Sequence, residues 1–159
     1  MHAILSVVGV ALAAFPLVVA APSAPAAKRE VEWERRSFRL GPQHTNCCID
    51  AGPTWYPPLF CDCNGTDNQF FGTPGAGNEG LISSLRSDQC LEADSRSAGK
   101  MLRFQDCDST TSSWKFGGGG NTKIRLMGAT GGTELCVSSG GTDKPLILAD
   151  CGGASVWNM

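Results

Sequence analysis

The chain carries one short cysteine pattern three times: Cys48-Ile49-Asp50 with Asp62-Cys63, Cys90-Leu91-Glu92 with Asp106-Cys107, and Cys136-Val137-Ser138 with Asp150-Cys151. The two cysteines of a copy are 15, 17 and 15 residues apart, and the first cysteine advances by 42 and then 46 residues. Such a period is typical of a repeated supersecondary unit, which buries its apolar face against neighbouring copies. The sequence therefore predicts one domain, residues 37–159, with repeats at about 37–79, 80–119 and 120–159.

Short apolar or alternating runs, separated by turn-forming clusters, predict β structure in each repeat. Examples are Met101–Phe104 and Leu146–Ala149. No stretch keeps apolar residues at helical spacing over three turns, and the chain holds 20 glycines and 9 prolines. Each copy closes on the same kind of triplet, and its recurrence favours core packing over a ligand platform: Gln69-Phe70-Phe71, Trp114-Lys115-Phe116 and Trp157-Asn158-Met159. We expect an all-β fold of many short strands.

The first 20 residues are predicted to be a signal peptide. An apolar run covers Ala3–Ala21 and ends in small residues that suit cleavage after Ala20. Pro16 and Pro22 flank a run shorter than a membrane-spanning helix requires. The expected location is therefore secreted and extracellular.

Residues 21–36 are predicted to be a pro-segment or a disordered linker. They contain two dibasic pairs, Lys28-Arg29 and Arg35-Arg36. These pairs either resemble the sites at which secretory-pathway proteases remove a pro-segment, or belong to a solvated charged tail. In both cases we expect the compact domain to begin near Ser37.

The charge of the domain and the length of its apolar runs make nucleic acid and membrane unexpected partners. Four of the 13 basic and three of the 15 acidic residues lie between residues 28 and 36, which leaves 9 and 12 and a formal charge near −3. Without a basic cluster, binding to nucleic acid is not expected. No apolar run beyond residue 21 approaches spanning length, so membrane insertion is not expected either.

Eight cysteines behind a signal peptide imply disulfide bonds. The repeat predicts Cys48–Cys63, Cys90–Cys107 and Cys136–Cys151, with Cys47–Cys61 as the fourth pair. The first four cysteines can instead cross as Cys47–Cys63 and Cys48–Cys61, and the sequence does not choose. A metal or other cofactor is not expected, because Cys61-Asp62-Cys63 lacks zinc-ligand spacing and His44 is the domain's one histidine.

The threefold period, the Cys…Asp-Cys order and the closing aromatic pairs resemble the ricin-B-type β-trefoil lectin domain over nearly all of residues 37–159. That family closes each repeat with Gln-x-Trp. Here Gln69 keeps the glutamine, whereas Trp114 and Trp157 stand in its place in the later copies, as in small fungal secreted trefoil proteins. The resemblance implies three four-stranded repeats with pseudo-threefold symmetry. It also implies that the strand around Phe38-Arg39-Leu40 pairs with the one around Val156–Met159.

The resemblance further implies a sugar pocket in copy one. Each pocket of the family uses an acid two residues after the first cysteine, a ring two before the second, and a polar pair ending in the glutamine. A carboxylate accepts two sugar hydroxyls, amides donate and accept, and a ring stacks on the sugar's C–H face. Copy one supplies Asp50, Asn68 and Gln69, but Cys61 occupies the ring position. Trp55 and Tyr56, in a proline-rich turn, either lean over the pocket or pack on each other.

The other two copies lack a complete pocket. Glu92 in copy two is expected to be a solvated charge at a strand end, and copy three has Ser138 and Ala149 at the acid and ring positions. An aspartate precedes the second cysteine in every copy, which favours a turn-capping role for Asp62, Asp106 and Asp150. Asn64-Gly65-Thr66 is a glycosylation sequon, so a glycoprotein with a glycan at Asn64 is expected.

Together these observations predict a secreted, non-catalytic, lectin-like protein whose partners are glycans or glycoproteins and which has at most one pocket, in repeat one. The alternative is a trefoil that binds proteins, such as a protease inhibitor or a secreted effector, through the loop at 53–58. An enzyme is not expected, because the domain has one histidine, an even cysteine count and no recognisable base beside a serine.

Overall fold

The computed structural model describes residues 33–41, 46–52, 59–107, 113–129, 132–141 and 144–159, with the main chain alone for 59–61. The predicted signal peptide, most of the predicted pro-segment, His44, Trp55 and Tyr56 lie outside the described residues. The compact unit that contains the strands spans Val31–Met159.

Fourteen short strands and one 3-10 turn make up the regular structure of the described residues: β1 Trp33–Arg36, β2 Arg39–Gly41, β3 Cys47–Asp50, β4 Leu59–Asp62, the 3-10 turn Asp67–Gln69, β5 Phe71–Pro74, β6 Glu79–Gly80, β7 Ser83–Ser84, β8 Cys90–Ala93, β9 Leu102–Gln105, β10 Trp114–Phe116, β11 Ile124–Leu126, β12 Leu135–Ser139, β13 Leu146–Asp150 and β14 Val156–Asn158. The expectation of an all-β fold is confirmed. Within the described ranges, no helix is long and apolar enough to cross a membrane.

The strands form three antiparallel sheets, and each sheet holds the cysteine hairpin of one copy at one end. The orders are β1-β5-β7-β8-β9, β13-β12-β11-β10-β6 and β14-β2-β3-β4. In the third sheet the last strand pairs with the second, with Val156 opposite Gly41 and Asn158 opposite Arg39. The expected pairing of the strand around Phe38-Arg39-Leu40 with the strand around Val156–Met159 is therefore present.

Burial alternates along β9, β10, β11 and β13, whose buried residues join one shared core with those of the other strands. Phe38 lies at its centre, with its ring 5.9 Å from that of Phe71 and 5.7 Å from that of Phe116. The Phe71 and Phe104 rings stack at 5.5 Å. Because such ring pairs add to the free energy of burial, these aromatic residues hold the first and second repeats together.

Trp114 and Trp157, which stand where the lectin family has glutamine, are core residues. Both are 0% exposed. Each indole Nε1 donates a hydrogen bond to the carbonyl oxygen of the residue that follows the first cysteine of its copy, Leu91 at 2.8 Å and Val137 at 3.2 Å. The expectation that these rings pack, and do not serve as ligand platforms, is confirmed.

Three disulfides join cysteines within their own copies, as expected: Cys48–Cys63, Cys90–Cys107 and Cys136–Cys151. The crossed alternative is excluded because Cys48 is bonded to Cys63. The predicted fourth bridge, Cys47–Cys61, is wrong for this structure, since Cys47 is a half-buried free thiol. In the β3–β4 ladder Cys48 lies opposite Cys61 and Cys47 lies opposite Asp62, so positions 47 and 61 are on alternate faces of the hairpin.

The folded part of the chain begins before Ser37. Trp33–Arg36, which the sequence assigned to a pro-segment or linker, forms β1 and pairs with β5 over four residues. Pairing with a strand about 40 residues away is a non-local contact, which the local composition of a charged segment does not reveal.

Candidate functional site

The structure brings together the three residues that the sequence assigned to a copy-one pocket. Asp50 ends strand β3, and Asn68 and Gln69 belong to the 3-10 turn that precedes β5. Asn68 Nδ2 donates to Asp50 Oδ1 at 2.6 Å, and Gln69 Nε2 donates to Asp50 Oδ2 at 3.2 Å. The backbone N–H of Gly52 also donates to Asp50 Oδ1, at 2.8 Å. Three donors therefore fix the orientation of one carboxylate.

Gln69 is the positioning member of this cluster. Its Nε2 also donates to the carbonyl oxygen of Asp62 at 2.8 Å, and its Oε1 accepts the backbone N–H groups of Asn64 at 2.8 Å and Gly65 at 3.1 Å. Both hydrogens and both lone pairs of the amide are thus used. Since the residue is only 1% exposed, it holds Asp50 and the 64–65 turn in place and has no group left for a sugar hydroxyl.

Of the three side chains, that of Asn68 is the most accessible. Asp50 is 6% exposed and Asn68 is half-buried. Asn68 Oδ1 accepts a hydrogen bond from the Thr66 hydroxyl, so this side chain bridges the acid and the sequon turn. A carboxylate accepts hydrogen bonds from hydroxyl groups, and a neighbouring amide can both donate to and accept from a vicinal hydroxyl.

The sequon turn lies directly against this cluster. Asn64 is exposed, and its Oδ1 accepts the Thr66 N–H at 3.0 Å and lies 2.6 Å from the Thr66 hydroxyl oxygen. Glycosylation of Asn64 stays a prediction. Trp55 and Tyr56 lie outside the described residues, so the ring platform also stays a prediction.

The positions that correspond to Asp50 in the other two copies are also buried. Glu92 is 0% exposed in the middle of β8, so the expectation of a solvated strand-end charge is wrong. Ser138 is 8% exposed, and its hydroxyl lies 3.1 Å from that of Ser155 and accepts the Ser155 N–H at 3.2 Å. In both copies the residue at this position is therefore part of the packed interior.

The capping role expected of the aspartate before the second cysteine is seen at Asp150. Its Oδ1 accepts the backbone N–H of Gly152 at 2.7 Å, in the turn that follows β13. Since copy three has no acid at position 138, this aspartate serves the turn and not a pocket. For Asp62 and Asp106 the capping role stays a prediction.

A cavity that the sequence did not reveal lies beside β10 and β11. Its volume is about 730 Å³, and its lining includes Lys115, Lys123, Arg125 and Glu134. Lys115 lies opposite Arg125 in the ladder, Arg125 pairs with Glu134 at 3.0 Å, and Lys123 Nζ donates to the Cys151 and Gly152 carbonyl oxygens. None of the described residues that line it was assigned to a site from the sequence.

The signal for this surface was present in the sequence as Trp114-Lys115-Phe116 and Ile124-Arg125-Leu126. In each triplet a charged residue that the structure exposes lies between two buried apolar residues. Two like charges opposite each other in a ladder are unfavourable by roughly 0.2–1 kcal/mol, and Glu134 offsets this by pairing with one of them. Among the described residues, no group of three or more His, Cys, Asp or Glu side chains is placed to hold a metal ion.

Comparison with known proteins gives a likeness of fold. No protein-family model and no curated protein matches the chain. A solved structure, described as that of a mosquitocidal holotoxin, superposes with a TM-score of 0.62 over 80% of this chain, at 11% sequence identity. The chain spans 17% of that toxin's length. The likeness therefore shows that this all-β fold recurs in one part of a much larger protein.

Proposed function

We propose that this protein is a secreted, non-catalytic carbohydrate-binding protein of the ricin-B-type β-trefoil kind, with one glycan pocket in repeat one. Three sheets that each carry one cysteine hairpin support the trefoil assignment. The fold likeness to part of the holotoxin agrees with it. Three internal disulfides fit an oxidising, extracellular environment.

The observation that carries the proposal is the fixed carboxylate of Asp50. Gly52, Asn68 and Gln69 donate to it. In the proposed complex one sugar hydroxyl donates to the Asp50 carboxylate, and the Asn68 amide contacts the vicinal hydroxyl. Gln69 takes no part in contact and keeps Asp50 oriented.

A single small pocket of this kind binds weakly, and we expect a dissociation constant on the order of 1 mM for a free monosaccharide. Useful retention then depends on multivalent display of the sugar, because linked sites raise the apparent affinity without new contacts. The natural partner we expect is therefore a glycoprotein or polysaccharide surface.

A glycan array followed by titration of the strongest glycan tests the proposal. Asp50→Asn removes the charge but keeps an oxygen for the Gly52 N–H, so the turn is retained while binding falls by about tenfold or more. Asp67→Ala is the matched control, because Asp67 is an exposed carboxylate of the same 3-10 turn and pairs with Arg35.

Two results would remove the proposal. One is a wild-type protein that binds no glycan on the array. The other is equal binding by the Asp50→Asn variant, with its circular dichroism spectrum unchanged. In either case the protein-binding alternative, through the loop at 53–58, becomes the function to examine with inhibition assays on serine and cysteine proteases.

A further inference from the structure

The cavity beside β10 and β11 is lined by three basic side chains. Lys115 lies on β10, Arg125 lies opposite it on β11, and Lys123 comes two residues before Arg125. Ile124, between the last two, is 0% exposed, so both basic side chains point away from the core. Glu134 is the one acid among the described lining residues, so three positive charges against one negative leave +2. Since the whole chain carries −2, the positive charge is a local feature of this cavity.

The ammonium group of Lys115 forms no ion pair with any other residue that the structure describes. On the other side of β10 it lies opposite Glu79 of β6, but that carboxylate accepts the Ser113 hydroxyl at 2.6 Å. On the cavity side its neighbour is Arg125, and like charges opposite each other in a ladder repel. A negatively charged ligand between these two side chains removes that repulsion.

The other two basic groups are held in place but keep their charge. Lys123 Nζ donates to the carbonyl oxygens of Cys151 and Gly152, which fixes the ammonium group without neutralising it and leaves one of its three N–H donors. Arg125 contacts Glu134 through Nη1 alone, and both side chains are at least half exposed, so water weakens this pair. The guanidinium group therefore retains N–H donors for an oxyanion.

One end of the cavity is fixed by the fold. Thr122 exchanges two backbone hydrogen bonds with Trp157, at 2.8 and 2.7 Å, and its hydroxyl accepts the Gly117 N–H at 2.7 Å. The backbone N–H of Asn121 donates to Asn158 Oδ1 at 2.8 Å, and the Asn121 side chain is exposed. Its amide can both donate and accept hydrogen bonds. The cavity is therefore largely formed before a ligand arrives, as is usual for small-molecule sites.

The size and the lining of the cavity favour a saccharide over a bare inorganic anion. A volume of about 730 Å³ lies within the range of roughly 300–1,000 Å³ found for small-molecule sites, and one sulfate ion fills little of it. Phe116 and Leu126 are 2% and 4% exposed and Met127 is half-buried, so the wall offers a limited apolar surface beside its charged and amide groups. A sugar ring, with a C–H face and a rim of hydroxyl groups, matches such a wall.

We propose that this cavity is a second ligand site, which binds an acidic saccharide through a sulfate ester or a carboxylate held between Lys115 and Arg125. Lys123 adds electrostatic attraction for the same group, and the amide of Asn121 contacts a hydroxyl of the ring. The site shares no described lining residue with the copy-one pocket and does not depend on it.

Nuclear magnetic resonance of the isotope-labelled, oxidised protein tests the proposal, because it locates binding and measures it. The probe is a chondroitin sulfate disaccharide, which carries one carboxylate and one sulfate ester, and the comparisons are maltose and sodium sulfate. We expect the disaccharide to shift the amide signals of residues 115–117 and 121–126 and maltose to leave them unchanged. Its Kd should be at least about tenfold lower than that of sulfate, because the ring adds hydrogen bonds that the ion lacks. Raising the NaCl concentration from about 0.05 to about 0.3 M should weaken binding several-fold through screening.

Three variants test the charges one at a time. Lys115→Gln removes a basic group that has no ion pair to lose, and we expect binding of the disaccharide to weaken by about tenfold. Lys100→Gln is the matched control, because it makes the same change at an exposed lysine outside the cavity lining, and it should alter the Kd less than about twofold. Glu134→Gln removes the acid and releases Arg125, so binding should become about threefold tighter. A structural role for these residues does not predict opposite signs.

The proposal is overturned if the disaccharide leaves the signals of residues 115–117 and 121–126 unchanged, or if it binds no more tightly than sulfate. Equal losses for Lys115→Gln and Lys100→Gln also overturn it, as does weaker binding by Glu134→Gln. A single-stranded oligonucleotide that shifts the same signals at a lower Kd than the disaccharide would assign the site to nucleic acid instead. The signals of Asp50, Asn68 and Gln69 report on the copy-one pocket separately, so the failure of one site is distinguishable from the failure of the other.

Discussion

Replacing Trp114 by phenylalanine tests whether the hydrogen bond of its indole ring stabilises the core. Trp114 is 0% exposed, and its Nε1 donates to the Leu91 carbonyl oxygen at 2.8 Å. Phenylalanine keeps an aromatic ring at the position but has no donor. The variant therefore removes one buried hydrogen bond and part of one ring.

The expected loss in the free energy of unfolding follows from these two changes. A buried hydrogen bond contributes about 1 kcal/mol, and more when the acceptor loses its partner. The smaller ring leaves a space of about 40 Å³, which costs about 1 kcal/mol at the measured rate for buried cavities. The sum is about 2–3 kcal/mol, which for a domain of this size lowers the melting temperature by about 10 °C.

Guanidinium unfolding followed by far-ultraviolet circular dichroism measures the change with the disulfides intact. Trp33→Phe is the matched control, because Trp33 is 50% exposed and the same chemical change there should cost less than about 0.5 kcal/mol. If Trp114→Phe were no more destabilising than Trp33→Phe, the indole hydrogen bond would have no structural role.

Two further predictions concern the disulfides and the turns. The double variant Cys48→Ala/Cys63→Ala should lose about 3 kcal/mol in the free energy of unfolding, because it opens a 15-residue loop. Cys47→Ala should change it by less than about 0.5 kcal/mol, since Cys47 is a free thiol. Equal losses for the two variants in urea unfolding would contradict this disulfide pairing. Gly140→Ala should lower the free energy of unfolding by about 1–3 kcal/mol, because its Cβ would lie 2.6 Å from the Pro145 carbonyl oxygen. Gly153→Ala is the control, because nothing lies within 4 Å of a Cβ at that position. Thermal unfolding that does not distinguish the two variants would refute the steric argument.

The hairpins and their bridges were predictable because they are local features. Cys90 and Cys107 are 17 residues apart and bracket the β8–β9 hairpin, so a repeated spacing in the sequence is enough to identify both. Trp157 was predictable as a core residue for a related reason, since the same kind of side chain recurs at the same place in another copy.

The features that were missed depend on contacts between distant parts of the chain. Glu92 looks like a strand-end charge in the sequence, and only the packing of neighbouring strands buries it. The charged composition of 30–36 does not show that β1 pairs with β5. Gln69 was correctly placed beside Asp50, but its complete set of hydrogen bonds, which removes it from ligand contact, requires the positions of Asn64 and Gly65.

Strand geometry alone argues against two disulfides between Cys47 and Cys48 on one strand and Cys61 and Cys63 on the next. Neighbouring residues on a strand face opposite sides, and residues two apart share a side. Cys47 and Cys48 are neighbours, whereas 61 and 63 are two apart, so both cysteines of the first strand cannot reach both positions of the second without a break in the strand. The free thiol of Cys47 agrees with this geometry.

The pairing of β14 with β2 has a consequence for the folding kinetics. Val156 lies opposite Gly41, a separation of 115 residues, so the third sheet is complete only when Val156–Asn158 have left the ribosome. Contacts this distant in sequence slow the folding of β proteins to about milliseconds to seconds. The bridged hairpins close over loops of 15 or 17 residues and do not have to wait for them. We therefore expect the disulfide of each repeat to form before the third sheet is complete.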